Sequence, residues 1–170
     1  MPEILENGLI EVDMGKPVLE CKKIPCGFEE NINQKIEVKD REFIATAVSM
    51  GNPHCVIFTE EEPEVLAKEY GAEIERSKYF PEKTNVEFVR IRNRSEADMS
   101  VWERGCGMTL ACGTGACAVS VAGILNNLTE KEVQINLAKG ALNISWSGNL
   151  DDSVHMRGPA EYSFFAEYVL

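Results

Sequence analysis

Long apolar runs are missing from this 170-residue chain. No stretch approaches the roughly 18 consecutive apolar residues that a membrane-crossing helix requires, and MPEILENG shows no basic region followed by an apolar block of the kind that directs export. A membrane partner is not expected, and the cytoplasm is the expected location. Positive charge is scarce too: 17 Lys and Arg stand against 28 Asp and Glu, giving a net charge of -11. Such a surface gains nothing by displacing counterions from a polyanion, so nucleic acid is excluded as a partner. A small anion is still admissible, because salt screens a surface field within about 10 Å and a few local donors outweigh it. Histidine is limited to His54 and His155, and no Cys-x-x-Cys pair occurs among Cys21, Cys26, Cys55, Cys106, Cys112 and Cys117. A bound metal is therefore not expected, and without an export signal the six cysteines read as free thiols. There is also no G-x-x-x-x-G-K-[ST] phosphate loop.

What the chain does have is alternation of period two. Val133, Ile135 and Leu137 alternate with polar residues, as do Leu142, Ile144 and Trp146, and then Val154 and Met156. The same pattern runs through 9–14, 36–39, 42–50, 54–58, 85–91 and 98–104. Lys139-Gly140 and Ser147-Gly148-Asn149 supply short turns, so consecutive strands are expected to pair antiparallel without helical crossovers. About nine or ten strands follow from this reading.

Two segments break the alternation. Thr59-Glu60-Glu61-Glu62-Pro63 announces a helix start, and Val65, Leu66, Tyr70 and Ile74 give that helix one apolar stripe, as on a surface helix. From about 114 to 125 nearly every residue is apolar, with Ser120 and Gly123 the interruptions. A helix apolar on all sides must be enclosed on all sides. The expected fold is α+β: a curved, mostly antiparallel sheet wrapped around one central buried helix, plus one surface helix, as a single domain over 1–170.

The stretch MTLACGTGACAV (108–119) sets Cys112 just ahead of that central helix. Unpaired N–H groups at a helix N-terminus favour a thiolate or a bound carboxylate, and Gly113 and Gly115 let a ligand approach the backbone. Most free cysteines simply fill core space, which suits Cys117, Cys55 and Cys21, and less clearly Cys26 and Cys106. Gly113 to Ala118 also satisfies G-x-G-x-x-A, but neighbours that alternate like antiparallel strands argue against a dinucleotide unit. Asn52-Pro53-His54 reads by itself as a turn, and Glu103-Arg104 as a solvated ion pair.

Taken together, MGNPHCV (50–56), TNVEF (84–88) and WERGCGMTLACGTGACA (102–118) resemble the C-terminal half of the diaminopimelate epimerase family. ENGLIEVDMGKP (6–17) and RGPAEY (157–162) extend that resemblance over nearly the whole chain. It implies a cofactor-independent isomerase that interconverts LL- and meso-diaminopimelate with two cysteines, one removing the α-proton and one returning it on the opposite face. Cys112 matches the second-domain cysteine, with Glu103 and His54 beside the thiols. Gly113 and Thr114, with Gly115, would offer N–H groups to the α-carboxylate. Asn52, Asn85, Glu103 and Arg104 would hold the distal amino-acid end, a task for which bidentate arginine is suited.

Two departures, Met108 in place of an acid and Cys106 in place of a small apolar residue, read as tolerated variation. The family's other cysteine sits in a Cys-Gly-Asn-Gly turn, and this sequence has none. The chain is thus expected to supply one thiol, to need a partner domain carrying the second, and to be inactive alone. Residues 160–170, with Phe164, Phe165, Tyr168 and Val169, are expected to form a strand of that partner's sheet, exposed or self-associating here, so that a homodimer is possible. Two alternatives remain at this stage: a non-catalytic binding or assembly module of the same fold, and a related isomerase acting on a proline derivative or a phenazine precursor.

Overall fold

The computed structural model describes residues 2–161 and 164–168. Eleven strands form one sheet: β1 (Glu3–Ile4), β2 (Ile10–Asp13), β3 (Gln34–Val38), β4 (Arg41–Ser49), β5 (Pro53–Phe58), β6 (Asn85–Asn93), β7 (Glu96–Glu103), β8 (Gly107–Met108), β9 (Glu132–Leu137), β10 (Gly140–Ser145) and β11 (His155–Gly158). Among the described residues two α-helices accompany them, α1 (Pro63–Glu75) and α2 (Gly113–Leu125), with one short 3-10 turn at Cys21–Lys23. Along the sheet the order is β1-β2-β11-β10-β9-β7-β6-β5-β4-β3, with β8 paired to β7.

Most pairings are antiparallel, as the alternation predicts, and Ala138-Lys139 joins β9 to β10 as a tight hairpin. Two pairings are parallel within this mostly antiparallel sheet. β5 runs parallel to β6 and β7 parallel to β9, with α1 and α2 lying in the respective connections. A parallel neighbour requires a crossover long enough to carry the chain back, and a helix supplies it. Periodicity of side chains reports burial on each face but not strand direction.

The helices divide the core in two. Val48, Val56, Val89, Met99, Val101, Val133, Ile135 and Ile144 pack with α2 in one apolar cluster. Phe43, Ile57, Val86 and Phe88 pack with Leu66, Ala67 and Ile74 of α1 in the other. On β6, Val86 and Phe88 therefore face α1 while Asn85, Glu87 and Val89 face the α2 side, so this central strand is buried on both faces. Helix α2 is enclosed from Gly115 to Gly123, as its all-round apolar sequence requires.

Helix α1 differs from expectation in two details. Its N-cap is Glu62, with Pro63 in the first turn, whereas Thr59 accepts from the Glu61 N–H before the helix begins. Val65 is exposed, and the buried stripe is Leu66, Ala67, Gly71 and Ile74. Gly71 lies against Trp102 so closely that a Cβ there would fall 2.5 Å from the tryptophan Cβ.

Glu75 at the end of α1 is buried and ties the helix to the turn after β7: Trp102 Nε1 and the Gly105 N–H each donate to its carboxylate at 2.9 Å. Burial pushes this carboxyl up, but the Trp102 and Gly105 bonds, with Arg76 and Lys83 nearby, outweigh burial and hold it below its ordinary 4.5. A carboxylate depressed in the folded state contributes stability above its unfolded pKa and loses it as pH falls through the folded value. Glu75→Gln is therefore expected to lower stability at pH 7 and to flatten the loss of stability on acidification below about pH 4.5. Urea unfolding at several pH values checks this, and parallel stability curves for the two proteins would refute it.

Residues 164–168 carry no regular structure, and Phe164, Phe165 and Tyr168 are exposed. The tail strand expected over 160–170 is thus not part of this sheet across the described residues, and Val169 lies outside them.

Candidate active site

The motifs meet at the N-terminus of α2. Cys112 has extended backbone, φ -142 and ψ 108, and serves as the N-cap of the helix. Its Sγ accepts from the Gly115 N–H at 3.3 Å, and its carbonyl accepts from Ala116 at 3.0 Å. Helix geometry leaves the first-turn N–H groups of Gly113 and Thr114 without intrahelical acceptors, so both are available to an anion. The Gly115 N–H is already engaged by sulfur, which removes it from the expected carboxylate cradle. Gly115 admits no side chain, since a Cβ would lie 2.9 Å from Glu87 Oε1 and 3.2 Å from Cys112 Sγ.

The β4–β5 turn delivers Asn52 and His54 to this point. Asn52 Nδ2 donates to Thr114 Oγ1 at 3.3 Å, and its Oδ1 faces His54 Nε2 at 3.0 Å. The Thr114 hydroxyl lies 3.5 Å from Cys112 Sγ. His54 is fully buried, with its other nitrogen, Nδ1, 2.7 Å from Glu87 Oε1. One strand over, Asn85 spans two elements: its Nδ2 donates to the Pro53 carbonyl at 2.8 Å, and its Oδ1 accepts from the Arg104 N–H at 2.9 Å. Asn85 thereby clamps the turn carrying Arg104 to the start of β5.

Glu103 is half-buried and accepts a short hydrogen bond from the Thr109 hydroxyl, whereas Arg104 is exposed. These two project from the end of β7 close to the loop that leads into α2. Ahead of α2 the short strand β8 covers only Gly107–Met108, and Leu110 and Ala111 are exposed just before Cys112.

Electrostatics correct one expectation. The helix end was expected to favour a Cys112 thiolate, yet burial pushes this thiol above its ordinary 9.0. The Thr114 hydroxyl and Gly115 N–H pull in the other direction, but Glu87 and Glu103 add their charge to the effect of burial. Cys112 therefore rests as a thiol at neutral pH. Cys117, one turn further into the helix, is pushed up to about 12 by burial and behaves as core, as does the fully buried Cys55. Cys106 is exposed rather than a core filler, and Cys26 is half-buried.

Glu87 was not foreseen. In TNVEF it alternates with Val86 and Phe88 and reads as the polar side of a half-buried strand. The available signal was the apolar run of the neighbouring β5, together with Val86, Phe88 and Val89 on its own strand β6, which marks strands covered on both faces. An acid there must point into a protein interior. Its Oε2 has no hydrogen-bond partner among the described residues, a deficit that costs on the order of 1–3 kcal/mol.

The sequence profile of diaminopimelate epimerase matches residues 46–163. The chain is 48% identical over 170 residues to a diaminopimelate epimerase of Carboxydothermus hydrogenoformans, covering 99% of this chain and 61% of that protein. It is 48% identical over 167 residues to one of Leptospira biflexa, covering 95% of this chain and 59% of that protein. The chain thus spans about 60% of the length of these relatives. In fold it is similar to a probable proline racemase from Agrobacterium radiobacter, with a TM-score of 0.66, 10% identity and coverage of 95% of this chain and 53% of that one. A hydroxyproline epimerase from Agrobacterium vitis gives a TM-score of 0.63 at 10% identity, covering 93% and 52%.

Proposed function

The chain belongs to the diaminopimelate epimerase family, and from that premise we propose that it supplies one face of a two-thiol site interconverting LL- and meso-diaminopimelate in the cytoplasm. The observation that supports this most is the Cys112 sulfur seated at the N-terminus of α2, beside free first-turn N–H donors.

In this reading the α-carboxylate of the substrate lies on the N–H groups of Gly113 and Thr114. As the α-carbon loses its proton, negative charge moves into that carboxylate, and donors already aimed at it stabilise the transition state without reorganising. A thiolate on the opposite face, brought by a partner domain, takes the α-proton and becomes a thiol. Cys112, held protonated by burial, gives its proton to the other face of the carbon and becomes the thiolate. Inversion follows, and the reverse reaction exchanges the two roles. His54 and Glu103 stand near enough to influence proton movement around the thiols. Asn52 and Asn85 shape the cleft for the distal end, where Arg104 pairs with the carboxylate and Glu103 accepts from the ammonium.

A single thiol serves only one face of a carbon, so the chain alone is expected to give little or no inversion. The measurement is turnover of LL-diaminopimelate with α-proton exchange in D2O, for the chain alone and mixed with a separate polypeptide bearing a Cys-Gly-Asn-Gly turn. Restoration on mixing supports the proposal. Robust inversion by the chain alone sinks the one-thiol reading, and substrate binding without exchange in the mixture favours a binding module instead.

A further inference from the structure

The buried carboxylate of Glu87 has no step in the chemistry above, yet it lies against both His54 and Gly115. Glu87 Oε1 lies 2.7 Å from His54 Nδ1, so one proton is shared along that contact. Asn52 Oδ1 only accepts, so His54 Nε2 donates to it, Asn52 Nδ2 donates to Thr114, and the Thr114 hydroxyl reaches Cys112 Sγ. Because Asn52 Nδ2 donates to Thr114 Oγ1, the hydroxyl hydrogen is left free to point at the sulfur. Gly115 donates its N–H to the same sulfur and closes the circuit, since its Cα hydrogen side abuts Glu87 Oε1. Carboxylate and sulfur both surround the Gly115 Cβ position, at 2.9 and 3.2 Å, and so lie no more than about 6 Å apart.

We propose that Glu87 is a positioning residue of this site, orienting His54 directly and the Cys112 thiol through the ring His54–Asn52–Thr114. The proposal rests on Cys112 being the reacting thiol, but its test does not require turnover. Two effects of removing the Glu87 charge oppose each other at Cys112. A freed Asn52 could turn over and withdraw the Thr114 hydrogen from sulfur, which disfavours the thiolate. Loss of a full charge within about 6 Å in an enclosed region favours the thiolate, and outweighs one 3.5 Å contact to sulfur. The other groups facing this pair are Glu103, which also opposes the thiolate, and Cys55 and Cys117, which burial keeps protonated.

The test compares the parent chain with Glu87→Gln, which keeps shape and removes charge, and Glu87→Asp, which keeps charge and shortens the arm. Nitrogen-15 NMR of His54 reports which ring nitrogen is protonated, and iodoacetamide labelling with peptide mass analysis reports Cys112 against the other five thiols. In E87Q the proton shared between residue 87 and Nδ1 is expected to be lost and Cys112 to be labelled about tenfold faster at neutral pH. E87D is expected to stay near the parent in both. A mere packing role predicts the reverse order, with near-isosteric Gln silent and Asp disturbed, and that result overturns the proposal. So does a folded E87Q in which either readout keeps its parent value. Should E87Q fail to fold, E87D decides: both readouts retained support the assignment, and both lost overturn it. None of these outcomes depends on epimerase turnover, so a failure here is distinguishable from a failure of the proposed reaction.

Discussion

Serine in place of Cys112 is expected to reduce α-proton exchange in the proposed two-thiol site by roughly a thousandfold, within the range of about 10²–10⁴ that a positioned acid or base contributes. The substitution is nearly isosteric, and serine is itself a favoured N-cap, so its hydroxyl can take over the bond from the Gly115 N–H. What it cannot do is ionise near neutral pH, because an alcohol holds its proton far more tightly than a thiol. Folding and chemistry are thereby separated: thermal unfolding should be unchanged within a few degrees while exchange collapses. Carboxylate binding at Gly113 and Thr114 should survive, so substrate would still protect the chain against unfolding. A C112S protein that retains exchange in D2O would remove Cys112 from the reaction altogether.

The largest effect on stability is expected from Gly71→Ala. Alanine is ordinarily the better helix residue, by about 1 kcal/mol relative to glycine in a helix interior. Here the added Cβ would meet Trp102 Cβ at 2.5 Å and Cγ at 2.7 Å. Neither atom is the far end of a flexible side chain, so relief requires α1 to move away from β7. That movement strains the Glu75 bonds to Trp102 and Gly105, which link the helix to the turn holding Arg104. Overpacking of this kind costs about 1–3 kcal/mol, and the coupled loss of the Glu75 bonds places G71A at the upper end. For a domain of this size that is a fall in Tm of roughly 6–10 °C. An unchanged or raised Tm would mean the helix propensity gain prevails and the contact yields easily.

The contrast between α2 and Glu87 shows where sequence is informative. Residues 114–125 are apolar on every side, and only enclosure accommodates that pattern, so both the helix and its central place could be read directly. Cys112 could be assigned to the helix start by the same reasoning, and the turn motifs around Asn52 and Asn85 by their resemblance to a family. The parallel pairings of β5 with β6 and β7 with β9 could not, because alternation is the same whichever way the neighbouring strand runs. Val65 was misassigned since a stripe can be drawn through it or past it, and only the position of Trp102 against Gly71 decides which face is buried. The rest of the miss was electrostatic. A helix end favours a thiolate, but the opposing charge of Glu87, to which Glu103 adds, comes from a separate strand and becomes a neighbour of Cys112 only on folding.

The pairing of β2 with β11 carries a consequence for how the molecule forms. Arg157 of β11 hydrogen-bonds Glu11 of β2 across 146 residues of sequence, and β2 otherwise pairs only with the two-residue β1 in the sheet. Locally β2 has only that short hairpin, and its attachment to β11 closes a loop across 146 residues. The β2–β11 pairing is therefore expected to close later than the local hairpins β3–β4 and β9–β10, whose partners are joined by short turns.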